Sequence, residues 1–424
     1  MNTRNWLGIV LGAFVAVLVF APGAGATTLT VNDTTDDIGA GGTCTLREAI
    51  DQANINLDGR GCVSVGPYAQ NDTIVLTDPA GYTLTRAQTV TPEDNLEGDL
   101  DVNPLIAGTS VTITSTVPTT IDGGGVDRVL DVRPGGILNV TAGITIRGGR
   151  AEYGGGVRVS GAGDATLNLT GVTLTDNRAT TAWGGGISSG GTTTLTNSTI
   201  SGNVALNSGG GIGVTAGTTS LNSVTVSDNT ADANGDELGD GGGVWTFGGT
   251  VNLANTIVAG NVDGSDPGSQ AADCVDDGGA IASFGNNLIG TTTGCDYAAN
   301  AGDRTDQAPL LGPLAANGGA TLTHALLAGS PAIDGGSAAC PATDQRGISR
   351  PQGVACDIGA FERQPDALPQ PGAAKPKPKC KKRKGKAKRK GKGKKRAASA
   401  KRKKCKKKRK GKGKRKSKRK RGRA

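Results

Sequence analysis

Four related units decide the reading of this chain: GGGVRVSGAGDATLNLTGVTLTDN (154–177), GGGISSGGTTTLTNSTISGN (184–203), GGGIGVTAGTTSLNSVTVSDN (209–229) and GGGVWTFGGTVNLANTIVAGN (241–261). The Gly triplets start at Gly154, Gly184, Gly209 and Gly241, at intervals of 30, 25 and 32 residues. Inside each unit a Leu (Leu169, Leu195, Leu221, Leu253) stands eight residues before an Asn (Asn177, Asn203, Asn229, Asn261). A fixed inner spacing within a variable outer period describes a constant rung with loops of differing length, which is a solenoid. Segments such as Thr194 to Ile200 and Ser220 to Val226 alternate apolar residues with Thr, Ser or Asn, the period of a strand with one buried face. Gly triplets break helices and permit positive-φ corners. No two-residue hairpin turn separates the strands, so each pairs in parallel with its equivalent one coil later, and the recurrent Asn can form a ladder of side-chain amides. The predicted fold is an all-β, right-handed parallel β-helix. An antiparallel sandwich would not explain the fixed Leu-to-Asn spacing.

Composition divides the rest of the 424 residues. Of 47 Lys and Arg, 33 lie from Lys375 onward, whereas all 37 acids lie at or before Asp366. Without residues 1–26 the body has 13 basic residues against 37 acidic ones, no Lys, and a charge of about −24. The whole-chain value of +10 therefore averages an acidic body and a basic tail. Aromatics are scarce, so the core must be built from Val, Ile, Leu and Ala in thin layers.

Residues 1–26 read as a secretory signal: Arg4, an apolar run from Trp6 to Phe20, and small residues up to a cleavage point after Ala26. Export leaves no transmembrane anchor in the mature chain. Residues 27–80 form an N-terminal cap containing TCTLREAIDQAN (43–54), in which Thr45 and Glu48 have capping-box spacing and Leu46, Ala49, Ile50 and Ala53 share a helical face. Such a helix can close the open end of a coil stack. Coils are expected over 81–265, and looser C-terminal coils over 266–364. Cys44 and Cys62, Cys274 and Cys295, and Cys340 and Cys356 are the expected disulfide pairs of an exported protein. Each closes a loop whose staple contributes about 3 kcal/mol at most on the chain-entropy account. A zinc reading fails for want of any C-x-x-C pair, and the sole His324 is distant in sequence. A Pro-punctuated linker spans 365–378.

Several of these segments resemble a known group. TCTLREAI is similar to the CSLREA-type motif near the start of secreted bacterial β-helix proteins, with Thr45 in place of the usual Ser. GDLDV (98–102) and TIDGGGVDRVLDV (120–132) resemble the same group. FGNNLIG (284–290), PLLGPLAANGGATLTHALLAGSPAID (309–334) and TDQRGISRPQGVACDIGAFE (343–362) resemble its end, the last being similar to the choice-of-anchor Q signature. The resemblance spans roughly residues 28 to 364 and implies an extracellular, cell-surface right-handed β-helix without a settled activity. The GGGI and Asn pattern is also similar to polymorphic outer-membrane protein repeats, which are associated with adhesins, although the Phe of their FxxN motif is absent here.

Candidate chemistry is of three kinds. Tyr153 and Trp183 each precede a Gly triplet, so they fall one coil apart at one corner, where two rings in line form a platform for a glycan; the plainer reading is that they shield the corner backbone. Asp232, Asn234, Asp236 and Asp240 occupy places one, three, five and nine of a calcium-loop pattern, so Ca²⁺ is the candidate cofactor. Glu237 and Gly243 stand where that pattern wants Gly and a bidentate Glu, and a solvated acidic loop fits the same residues better. A β-helix polysaccharide lyase or glycoside hydrolase is the alternative to a binder, but Asp276-Asp277, the nearest carboxylate pair, has no neighbouring His, Lys or R-x-K motif. Arg147, Arg150 and Arg158 read as outward-facing charges. No catalytic residue is nominated.

The tail over 379–424 has no acid and no aromatic, cannot build a core, and is expected to be disordered. Its charge density suits anionic cell-wall or surface polymers, as an electrostatic anchor, or DNA through counterion release. Pairing with the acidic body is the plainer alternative. The sequence-level expectation is adhesion, or binding of glycans and surfaces, outside the cell.

Overall fold

The computed structural model of the chain describes residues 27–39, 42–55, 60–65, 71–89, 95–103, 105, 108–161, 164–236, 238–265 and 272–365. Residues 1–26, expected above to be a secretory signal, the linker beyond residue 365 and the basic tail 379–424 lie outside the described residues. The body is a parallel β-helix whose coils build four sheets, of ten, nine, five and seven strands. One coil shows the pattern: Thr166–Thr170 on the first face, Thr173–Thr175 on the second, Arg178–Ala179 on the third and Ile187–Ser189 on the fourth, before Thr192–Thr196 resumes the first face. Each strand pairs in parallel with its equivalent on the next coil, as Leu169 with Leu195, Leu195 with Leu221 and Leu221 with Leu253. Like residues therefore stack at the inter-strand spacing of about 4.8 Å. The columns Leu169–Leu195–Leu221–Leu253 and Ile146–Leu174–Ile200–Val226–Val258 are buried and fill the interior.

The corners explain the sequence's odd dipeptides. Between the second and third faces the chain turns through Asp176, Gly202, Asp228 and Gly260, all at positive φ, each immediately before a ladder Asn. Asp and Gly tolerate that conformation better than branched residues do, hence the recurring DN and GN pairs. The Asn side chains then run in one direction: Asn177 Nδ2 donates to Asn203 Oδ1, Asn203 to Asn229 and Asn229 to Asn261, each at 2.9 Å. Asn261 donates to Asp273 Oδ1 at 2.9 Å, so a carboxylate, which needs no acceptor of its own, ends the series. The Gly triplets serve close approach: a Cβ on Gly185 would sit 2.4 Å from the Gly210 carbonyl oxygen.

The N-terminal end of the stack is closed by a helix. The only helix among the described residues, Leu46–Ile55, is started by a reciprocal capping box, Glu48 N–H to Thr45 Oγ1 at 3.2 Å and Thr45 N–H to Glu48 Oε2 at 3.1 Å. Its Arg47 is fully buried, paired with Asp36 at 2.7 Å and donating to the carbonyls of Gly98 and Asp99. The LREA and GDLDV segments thus meet through one guanidinium. After the last coil, strands Leu311–Ala315 and Thr323–Leu326 form a hairpin, and the chain from there to residue 363 makes a strap over the second face. Gln345 Oε1 accepts from Thr199 Oγ1 at 2.6 Å, Gln345 Nε2 donates to Thr173 Oγ1 at 3.0 Å, and the Ala360 N–H donates to Thr225 Oγ1 at 3.0 Å. The strap is knitted internally by Arg350 with Glu362 and by Arg346 over the Phe361 ring, 3.5 Å from its centroid. The three disulfides are Cys44–Cys62, Cys274–Cys295 and Cys340–Cys356.

Candidate functional site

The fourth face carries the features that could act on a ligand. Tyr153 and Trp183 do meet across one coil, with ring centroids 6.2 Å apart and planes 18° from parallel. Two further rings extend the row: Trp245 lies 5.6 Å from Trp183, and Phe247 lies 6.0 Å from Trp245. Such separations belong to offset rings that overlap at their margins. Trp245 is nearly buried between its neighbours, Tyr153 and Trp183 are half-buried, and Phe247 is 57% exposed. The sequence pattern missed Trp245 because it stands on a strand, in register with Gly213, and not before a Gly triplet. Gly213 has no side chain, and a Cβ there would lie 3.1 Å from Cβ of Trp183. The slot left by Gly213 is what lets the column shift from corner to strand.

The row lines two adjoining clefts that share Trp183 and Thr215. One, of about 420 Å³, is bounded by Arg133, Tyr153, Arg158 and Ser188; the other, of about 590 Å³, by Asp240, Trp245, Phe247 and Asp277. Behind the first cleft, Asp99, Asp101 and Asp131 bring carboxylate oxygens within 4.8 Å of one another. Three guanidiniums answer them: Arg128 on Asp99, Arg133 on Asp101 at 2.9 Å and on Asp131 at 3.1 Å, and Arg158 Nε on Asp131 at 2.8 Å. Burial still pushes the Asp99 carboxyl up to about 6, against the pull of Arg128. The group reads as an ion-pair network that fixes Tyr153, whose ring has Arg128 and Arg158 over it at 5.7 and 5.6 Å.

In the calcium-loop pattern, Asp232 is buried and accepts the Asp236 N–H at 3.1 Å, while the Asn234 amide donates to Asp236 at 2.6 Å. Asp240 stands apart from these contacts and faces the Asp263 carboxyl. Partial withdrawal from water, then Asp263, raise its titration above the ordinary carboxylate range. Glu237 lies outside the described residues. Of the arginines, Arg147 is half-exposed and pairs with Asp122 at 2.8 Å, Arg150 is exposed, and Arg158 belongs to the network above. His324 is buried beneath the hairpin, where Nε2 meets Ser201 Oγ at 2.9 Å and Nδ1 meets the Gly312 carbonyl at 2.8 Å. That is a packing role.

Fold and site together define a disulfide-stapled parallel β-helix with an aromatic-lined cleft along one face. Comparison with protein-family models, with curated proteins and with solved structures finds no match to this chain. Among the described residues no helix is long and apolar enough to cross a membrane.

Proposed function

We propose that the protein is an exported β-helix that binds a glycan along the fourth face and is held to anionic surface polymers by its basic tail. The row Tyr153–Trp183–Trp245–Phe247 carries this reading. Apolar sugar faces stack on aromatic rings, and a row along the coil axis suits an extended chain better than a compact ligand. Disulfides form and persist in oxidising compartments, which agrees with the signal-like residues 1–26 and with the resemblance of Thr43–Asn54 to secreted β-helix proteins.

Two measurements test the two halves. Titrating tryptophan fluorescence with a panel of polysaccharides is expected to show saturable quenching by at least one. Trp183→Ala is expected to weaken that ligand about tenfold, the worth of one stacking contact. Unaltered affinity in Trp183→Ala would remove the aromatic row from the reading. Retention on isolated cell walls of the producing organism, across a salt series, addresses the tail. The full-length protein is expected to be retained and released by salt, and a version ending at Pro371 to pass through. Equal retention of both would transfer the anchoring role to the coils.

A further inference from the structure

One buried contact lies at the expected processing point. Thr27 has no exposed surface, and its backbone N–H donates to Asp72 Oδ1 at 3.3 Å. Asp72 has no exposed surface either. Register brings the two together: the strand Thr28–Val31 pairs in parallel with Asn71–Leu76, with Thr28 opposite Thr73, and the Thr27 carbonyl accepts the Thr73 N–H at 2.8 Å. Among the described residues only the two-residue strand Ser64–Val65 lies beyond Thr28–Val31 in the ten-stranded sheet, yet Leu29 and Val31 are fully buried. The anchorage of Thr27 therefore fixes the outermost full strand of the first face. A carboxylate taken out of water is tolerated when it is paired and hydrogen-bonded, and is costly otherwise. The sequence puts its expected processing point at the same nitrogen, since Ala24-Gly25-Ala26 runs directly into Thr27.

We propose that removal of residues 1–26 creates an α-ammonium on Thr27 that is seated on the buried Asp72 carboxylate, so that processing completes the first coil; the proposal rests on the reading of the protein as exported. Hydrolysis by a signal peptidase breaks the Ala26–Thr27 peptide bond. The oxygen of water joins the Ala26 carbonyl carbon, which leaves as a carboxylate, and the Thr27 nitrogen takes both protons of that water to become an ammonium, so atoms and charge balance. A neutral donor thereby becomes a cation with three N–H groups, protonated at neutral pH. Its contact with Asp72 becomes a charge-assisted hydrogen bond, roughly twice as strong as a neutral one. Removing either charge from such a pair strands the other away from water. Thr27 is enclosed once Thr28–Val31 has docked, so cleavage precedes the docking of this strand.

The test uses the full-length mature chain starting at Thr27 and the same chain retaining Gly25-Ala26, each with Asp72 and with Asp72→Asn. The retained dipeptide makes the Thr27 nitrogen an amide and moves the ammonium up to about 7 Å away. Amide-exchange protection of residues 28–31 is the readout. Asp72→Asn is expected to lower it about 100-fold in the mature chain and less than about tenfold in the extended one. Equal losses in the two chains would make Asp72 a structural residue only and overturn the proposal. Amine-specific labelling of the unsubstituted mature protein, read by mass spectrometry of the N-terminal peptide, needs no variant to fold. The Thr27 amine is expected to react at least about 100-fold more slowly in the native protein than in the unfolded chain, and equal rates overturn the pairing. N-terminal sequencing of the protein recovered from the producing organism is expected to begin at Thr27. An exported protein that begins elsewhere overturns the proposal and leaves export standing. Recovery only as the uncleaved chain inside the cell overturns both.

Discussion

At the scale of single residues, the ladder asparagines carry the most structure per atom. Asn203 accepts from the backbone N–H and the side chain of Asn177, and donates to Asn229 Oδ1 and to the Leu174 carbonyl. It is fully buried, so truncation strands several polar groups away from water. Asn203→Ala is therefore expected to destabilise the body by about 3 kcal/mol in denaturant unfolding. Asn168 makes a comparable amide contact to Asn139 at 2.9 Å, but on the half-exposed outer surface of the first face. Asn168→Ala should cost well under 1 kcal/mol, because water replaces the lost partner. Equal losses at the two positions would show that burial is not what makes the ladder matter. Legibility at this scale followed the same division. The ladder, the capping box and the cysteine pairs repeat or sit close in sequence, and the structure has them as read. The places of Trp245 and Phe247 in the aromatic row depend on register between coils, which neither spacing nor composition specifies.

At the scale of elements, the strap departs furthest from what repeats can reveal. The sequence over 266–364 reads as looser coils, and strands as far as Arg304–Thr305 do continue the stack. Beyond them the chain leaves the helix and lies across the second face, held by side chains that no periodicity marks. Its buried Asp357 accepts the N–H groups of Asp334 and Arg363, yet burial outweighs them and raises the carboxyl to about 6. The sign follows from linkage: the folded strap holds this proton more tightly than the unfolded chain does. The resulting stability is complete below the ordinary carboxylate pKa of 3.8 and is lost as pH rises through about 6. Acidification from pH 7 towards 4 should therefore strengthen the strap, by about 3 kcal/mol in the limit. Asp99, Asp240 and Asp273 are shifted in the same direction. Amide-exchange protection of residues 330–363 at pH 7 and pH 5, corrected for intrinsic rates, measures it, and Asp357→Asn should flatten the difference. Weaker protection at pH 5 would contradict the assignment.

At the scale of the whole molecule, the charge distribution and the fold address different problems. The acidic body, with no Lys, keeps its coils hydrated, while the residues from Lys375 onward carry the opposite sign. Solenoids ordinarily change length with ease, since each unit touches only its neighbours. This one is not free to do so. The hairpin and strap together are bonded to Gly171, Thr173, Asn197, Thr199, Ser201, Thr225 and Asn255, positions distributed over successive coils. Excising a single coil would move every partner beyond the cut by one rung, so the strap's contacts could no longer all be met at their present spacing. The strap therefore works as a gauge: it makes the number of coils between residues 171 and 255 a fixed dimension of the protein, as a frame fixes the number of slats it can hold.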